Sequence, residues 1–152
     1  MANEMDHIAR MLEKTYEKGP WYGPSVKEIL SAVSEKNASL RAGKSHSIIE
    51  LVLHMTAWRR FATRRLRGDG EYEVNEAMNF PAGTVPWTKV VQDLDESQKD
   101  LIAAVRAFSE EKLGELVPST TGKYTYYTLL HGIGHHDIYH IGQVQIILRS
   151  AT

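Results

Sequence analysis

His131-Gly132-Ile133-Gly134-His135-His136-Asp137-Ile138-Tyr139-His140-Ile141-Gly142-Gln143 puts four histidines into ten residues of a segment whose apolar positions recur at helical spacing. Two pairs, His131/His135 and His136/His140, lie four apart, the spacing that stacks two side chains on one side of a helix. A helix offers a divalent metal that arrangement, and the faces of the helix decide which pair is available. With about 100° of rotation per residue, Leu129, Leu130, Ile133, Ile141, Val144, Ile147 and Leu148 fall in an arc centred about 220° from His131. His136 and His140 stand at about 140° and 180°, on the shoulder of that arc, whereas His131 and His135 stand at about 0° and 40°, on the opposite side. His136 and His140 are therefore expected to look into the protein. A single inward histidine is commonly a hydrogen-bonded core residue, because an unpaired buried polar group costs on the order of a few kcal/mol. An inward pair with a third inward histidine in reach points instead to a metal.

A catalytic metal site keeps three protein ligands and an open position, so a third imidazole is needed. Ser47-Ile48-Ile49-Glu50 has capping-box spacing, so a helix should begin near 47. Ile48, Leu51, Val52, Met55, Trp58, Ala62 and Leu66 mark its buried face, and His54 sits at the margin of that stripe. His46 stands just outside the cap, where an imidazole is ordinarily solvated, and His7 belongs to the first turns of an N-terminal helix. His54 is the expected third ligand beside His136 and His140. Three neutral imidazoles leave the ion its full charge and room for water or an anionic substrate. Asp137 projects into the middle of the apolar arc, where a bare carboxylate is costly. Two readings stay open for it: an acceptor or base beside the metal site, or a buried salt bridge to a cation on a neighbouring helix.

Outward from these two segments, a first helix is expected over about 4–18, ending at Gly19-Pro20, and a short one over about 25–33. The capped helix runs to about 67. A long irregular segment then leads to Pro86, the expected first residue of a helix reaching about 108. His54 lies roughly 20 Å along the axis from the end of its helix, so that segment reaches the histidines only if it folds back. The last helix covers about 124–150. Four long amphipathic helices, no convincing strand and no internal repeat mean an all-α four-helix bundle, a single domain over 1–152, with sites built between facing helices. Arg59, Arg60, Arg64, Arg65 and Arg67 read as cations in the last turns of a helix, complementing its dipole and solvating one face.

The composition narrows the function. A net charge of -1 gives no electrostatic reason for nucleic-acid or anionic-membrane binding, and no aromatic platform interleaves the arginines. With no cysteine there is no disulfide, thiolate ligand or protein thiol nucleophile, and with no signal-peptide pattern or spanning apolar run a cytoplasmic protein is expected. His136-Asp137-Ile138-Tyr139-His140 comes close to the His-Glu-x-x-His of zinc proteases, but aspartate is one methylene shorter and too little chain follows for a further ligand.

Ser47 through Trp58, then Leu130 through Val144 after a long gap, resembles the DinB-like superfamily of small metal-binding helical proteins. Gly19-Pro20-Trp21-Tyr22-Gly23-Pro24-Ser25 and Ile147-Leu148-Arg149 extend the likeness over nearly the whole chain. The resemblance implies a bundle of up-down-down-up topology, a tendency to dimerise, and a zinc, nickel or other divalent ion on a histidine triad. The triad maps to His54, His136 and His140. It also implies activities: some members transfer groups to or from a low-molecular-weight thiol, one isomerises maleylpyruvate, and many are described as metal-dependent hydrolases. Two functions are therefore expected to compete: an enzyme acting on a small molecule, as a hydrolase or thiol-dependent S-transferase, and a metal-dependent binding or stress-response module without turnover. Trp21, Tyr22, Trp58 and Tyr139 are pocket-wall candidates, each with core packing as the alternative; His131 and His135 are expected at the surface.

Overall fold

The computed structural model describes residues 1–151. Its elements are α1 (Glu4–Tyr16), α2 (Val26–Leu30), α3 (Ile48–Leu66), α4 (Glu76–Asn79), α5 (Trp87–Ala107), a single 3-10 turn (Glu110–Lys112) and α6 (Tyr126–Ser150). The long helices begin where the caps predict. At α3 the Ser47 hydroxyl accepts from the Glu50 amide while the Glu50 carboxylate accepts from the Ser47 amide, so two orphan donors are satisfied at once. Pro86 is the N-cap of α5 rather than its first helical residue, and the Trp87 amide finds its acceptor in Glu35 at 2.8 Å. Among the described residues there is no strand, only an isolated bridge between Leu116 and Thr125, and no helix is long and apolar enough to cross a membrane.

The four long helices α1, α3, α5 and α6 pack so that α3 and α1 each lie against both α5 and α6, with α2 on α6 and α4 on α3. Residue numbers rise together along α3 and α5, where Arg60 faces Asp93 and Arg67 faces Asp100. They run in opposite senses along α3 and α6, where Arg59 meets Asp137 and the Arg65 carbonyl accepts from the Tyr126 hydroxyl. The apolar faces form two clusters. One gathers Val52, Met55, Leu94, Ile141 and Val144; the other gathers Ile8, Leu12, Leu101, Val105 and Leu130. Between them lies a belt of buried polar groups: Thr56, Arg59, Ser97, Gln98 and Asp137. The gap in the apolar register of α5 between Leu94 and Leu101 is where Ser97 and Gln98 serve that belt.

Candidate metal centre

The belt explains a departure from the sequence reading. Arg59 and Arg65 do not solvate a face of α3: they are buried at 0 % and 1 % exposure. A fully buried guanidinium must use its donors, and both do. Arg59 donates twice to Asp137, at 2.6 Å for each bond, and once to Gln98 at 3.1 Å, with its plane over the Tyr16 ring. Arg65 donates to the carbonyls of Pro118 and Asp69 and to the Glu73 carboxylate, tying together the chain on both sides of its helix end. Arg60, Arg64 and Arg67 are the half-exposed cations that the pattern anticipates. Of the two readings of Asp137, the salt bridge is the one present, and both carboxylate oxygens are taken by Arg59. Burial pushes the Asp137 carboxyl up to about 6 against the pull of the guanidinium, so at neutral pH the pair is still ionised.

One turn from this pair, His54, His136 and His140 come together, with ligand atoms all within 4.8 Å of one another. The Nε2 atoms of His54 and His136 are 3.0 Å apart. Two imidazoles on one ion at ~2.1 Å, subtending ~90–109°, stand ~3.0–3.4 Å apart, so the spacing fits shared ligation. The tautomers fit as well. His54 Nδ1–H donates to the Asn79 carbonyl at 2.6 Å, and His140 Nδ1–H donates to Gln143 Oε1 at 2.7 Å, which leaves each Nε2 with its lone pair. Burial is the first cause lowering all three histidines, and His136 falls to about 3 because its two neighbours add to it. Neutral rings are the form a metal binds. Among the described residues the buried His136 Nδ1 has no hydrogen-bond partner.

The long segment after α3 does fold back. Because α3 and α5 run the same way, the connection must travel the length of α3, ~28 Å for its 19 residues, before α5 can begin. On the way, Asn79 meets His54 through its carbonyl and Trp58 through its side chain, whose Oδ1 accepts from the indole N–H at 2.9 Å. Phe80 lies flat between two imidazoles, 3.7 Å from His46 and 4.0 Å from His54. Gly83 is pressed against the Ile49 side chain, where any Cβ would collide with the methyl, and so pins the segment to the first turn of α3. Asn79, Phe80 and Gln143 are parts of the site that helix faces did not single out; the local signal available was the Asn75 cap that starts α4. Gln143→Leu, which removes the acceptor for His140, is expected to weaken divalent-metal affinity roughly 10–100-fold while leaving the helical circular dichroism unchanged; calorimetric titration with zinc or nickel measures it.

His140 also lines a cleft of about 390 Å³ whose walls are Leu51, Phe80, Tyr139, Gln143, Ile146 and Ile147, with His46, Ser45 and Ala42 at its edge. Tyr139 is thus a wall residue, and Trp58 stands edge-on to His54 and His136 beside the cluster. Trp21 and Tyr22 are elsewhere, in a hollow on another face with His135. His131 is half-buried, its ring tilted against that of Tyr127 with centroids 4.3 Å apart, and 4.0 Å from Glu4.

An all-helical chain with three neutral imidazoles converging at the edge of an apolar cleft defines a class of small helical proteins able to hold a divalent ion. This chain belongs to the DinB superfamily, whose family model matches residues 23–144. No curated protein gives a significant sequence match to it.

Proposed function

We propose that the protein is a metal-dependent enzyme acting on a small molecule, with His54, His136 and His140 holding a zinc or nickel ion. The single observation that carries this reading is the convergence of three lone-pair nitrogens beside a cleft large enough for a substrate. A divalent ion there supplies Lewis acidity to an oxygen or sulfur donor entering the cleft. The chain's own residues do the rest. Asn79 and Gln143 fix the two ring orientations, Phe80 covers the His54 ring, Tyr139 stands edge-on to His140 at the cleft wall, and the apolar walls seat the body of the substrate. The opposed numbering of α3 against α6, and the shared numbering of α3 and α5, support the up-down-down-up bundle of the family.

Between the two chemistries, the locked Asp137 favours transfer to or from a thiol over hydrolysis. Hydrolysis profits from a carboxylate base at the site, and here both oxygens belong to Arg59. A low-molecular-weight thiol ionises near pH 8.5 unaided and needs less help. The same observation also supports the second reading, a binding module without turnover. Protein purified without an affinity tag is expected to carry close to one divalent ion per chain by elemental analysis, and to join a small thiol to an electrophilic acceptor only when metal is present. Equal turnover by chelated and loaded protein would overturn the metal-dependent enzyme. A lower melting temperature on chelation, with no thiol or ester chemistry in either form, would establish the binding module instead.

A further inference from the structure

We infer that a second binding site, independent of the histidine cluster, lies between α1, the turn that follows it and the outer face of α6, and that it takes a small planar aromatic anion. The hollow there measures about 650 Å³, larger than the cleft beside His140 and within the range of roughly 300–1,000 Å³ typical of ligand sites. Its lining includes Arg10, Lys14, Trp21, Tyr22, His135 and Ile138. Two features set it apart from ordinary surface.

The first is aromatic. Trp21 is 100 % exposed and Tyr22 44 % exposed, side by side in a turn bounded by Gly19 and Gly23. Gly19 has φ +77, a left-handed conformation that L side chains rarely adopt, and Pro20 and Pro24 restrict the backbone further. The turn therefore presents its rings from a stiff backbone, at little cost in ordering when a flat molecule stacks on them. Gly134 keeps α6 close to α1 at the base of the hollow, where a Cβ would stand 3.3 Å from Leu12.

The second is charge. Lys27, Arg41, Arg60, Arg64, Arg67, Lys89 and Arg106 each have a carboxylate within ion-pair distance. Arg10 and Lys14, one turn apart on α1 and both exposed, have none among the described residues; Lys18, Lys36, Lys44, Lys99, Lys112 and Lys123 share that state, and what marks Arg10 and Lys14 is that both line the hollow beside its aromatic rings. Two unpaired cations on the rim of an aromatic-walled hollow select a ligand that carries a negative group on a ring. His135 and Ile138 project from α6 on a different side from Tyr139, His140 and Gln143, so the site needs neither the metal nor the cleft.

The test is a titration of 15N-labelled protein followed through its three tryptophan indole signals, with Trp21 assigned from the Trp21→Phe variant. The probes are 2-naphthoate, its neutral counterpart 2-naphthamide, and acetate, each with metal-loaded and chelated protein. Naphthoate is expected to move the Trp21 signal alike in both forms, with naphthamide binding about tenfold more weakly and acetate leaving the signal unmoved. Arg10→Gln and Lys14→Gln should each weaken naphthoate about twofold to fivefold without changing naphthamide; both are exposed positions, and unchanged melting temperatures show that the fold is kept. Equal binding of the acid and its amide, shifts confined to Trp58, or no shift of the Trp21 signal would each overturn the inference.

Discussion

His136→Ala protein, prepared alongside the parent, is expected to carry less than about a tenth of its metal, with affinity falling by more than the roughly 10–100-fold that losing a supporting partner costs. His136 is the member whose Nε2 stands 3.0 Å from that of His54, so its removal takes away a ligand and opens the cluster. The fold gives up little. Alanine is the best helix former, and the lost imidazole carried a buried Nδ1 with no hydrogen-bond partner among the described residues. Metal-free His136→Ala should therefore melt at or above the temperature of the metal-free parent, while its zinc- or nickel-induced stabilisation disappears. That opposite pair of signs separates loss of a ligand from general damage. His135→Ala, exposed on another side of α6, serves as the control and should match the parent in both measurements. Elemental analysis and thermal melts with and without chelator read the outcome; parental metal content in His136→Ala would end the three-histidine assignment.

Breaking the Arg59–Asp137 pair from one side should cost about 3–5 kcal/mol of stability at neutral pH, whereas replacing both partners with leucine should recover most of that loss. The asymmetry comes from desolvation. Arg59→Leu leaves a carboxylate buried in the middle of α6 with no cation, facing Gln98 and the Tyr16 ring across the space that the guanidinium filled. In Arg59→Leu/Asp137→Leu neither charge is there to desolvate, and two apolar side chains join the clusters on either side of the belt. Burial already raises Asp137 to about 6 with Arg59 present, and without it the carboxyl rises further. A carboxyl raised in the folded state binds more protons than the unfolded chain, so stability falls as pH increases through its folded pKa. The deficit of the single variant should hence be larger at pH 8 than at pH 5. Urea denaturation of parent, single and double variants at the two pH values measures all of this; a double variant no more stable than the single would show that the pair contributes more than relief from desolvation.

The helices and the three converging imidazoles were legible because they are local matters. A capping box, a proline at a helix start and a 3.6-residue apolar period act within a few residues of chain. The angles about α6 sorted His136 and His140 from His131 and His135 for the same reason, and the margin of the α3 stripe singled out His54. The arginines of α3 defeated the same reasoning. Arg59 and Arg65 keep the spacing of their solvated neighbours, and only the arrival of Asp137 from α6, and of the Asp69 and Pro118 carbonyls, makes burial of a guanidinium affordable in free energy.

By itself, then, the amino-acid order determined that this chain is helical and which histidines face inward, since both follow from rotation per residue and the partition of apolar groups from water. The tertiary structure alone decided that Asp137 is bound to Arg59 on another helix. It also decided that the 68–86 segment returns along α3 to set Asn79 and Phe80 against His54. Such contacts join residues far apart in sequence, whose meeting depends on the directions of whole helices and on how far a connection must travel between them.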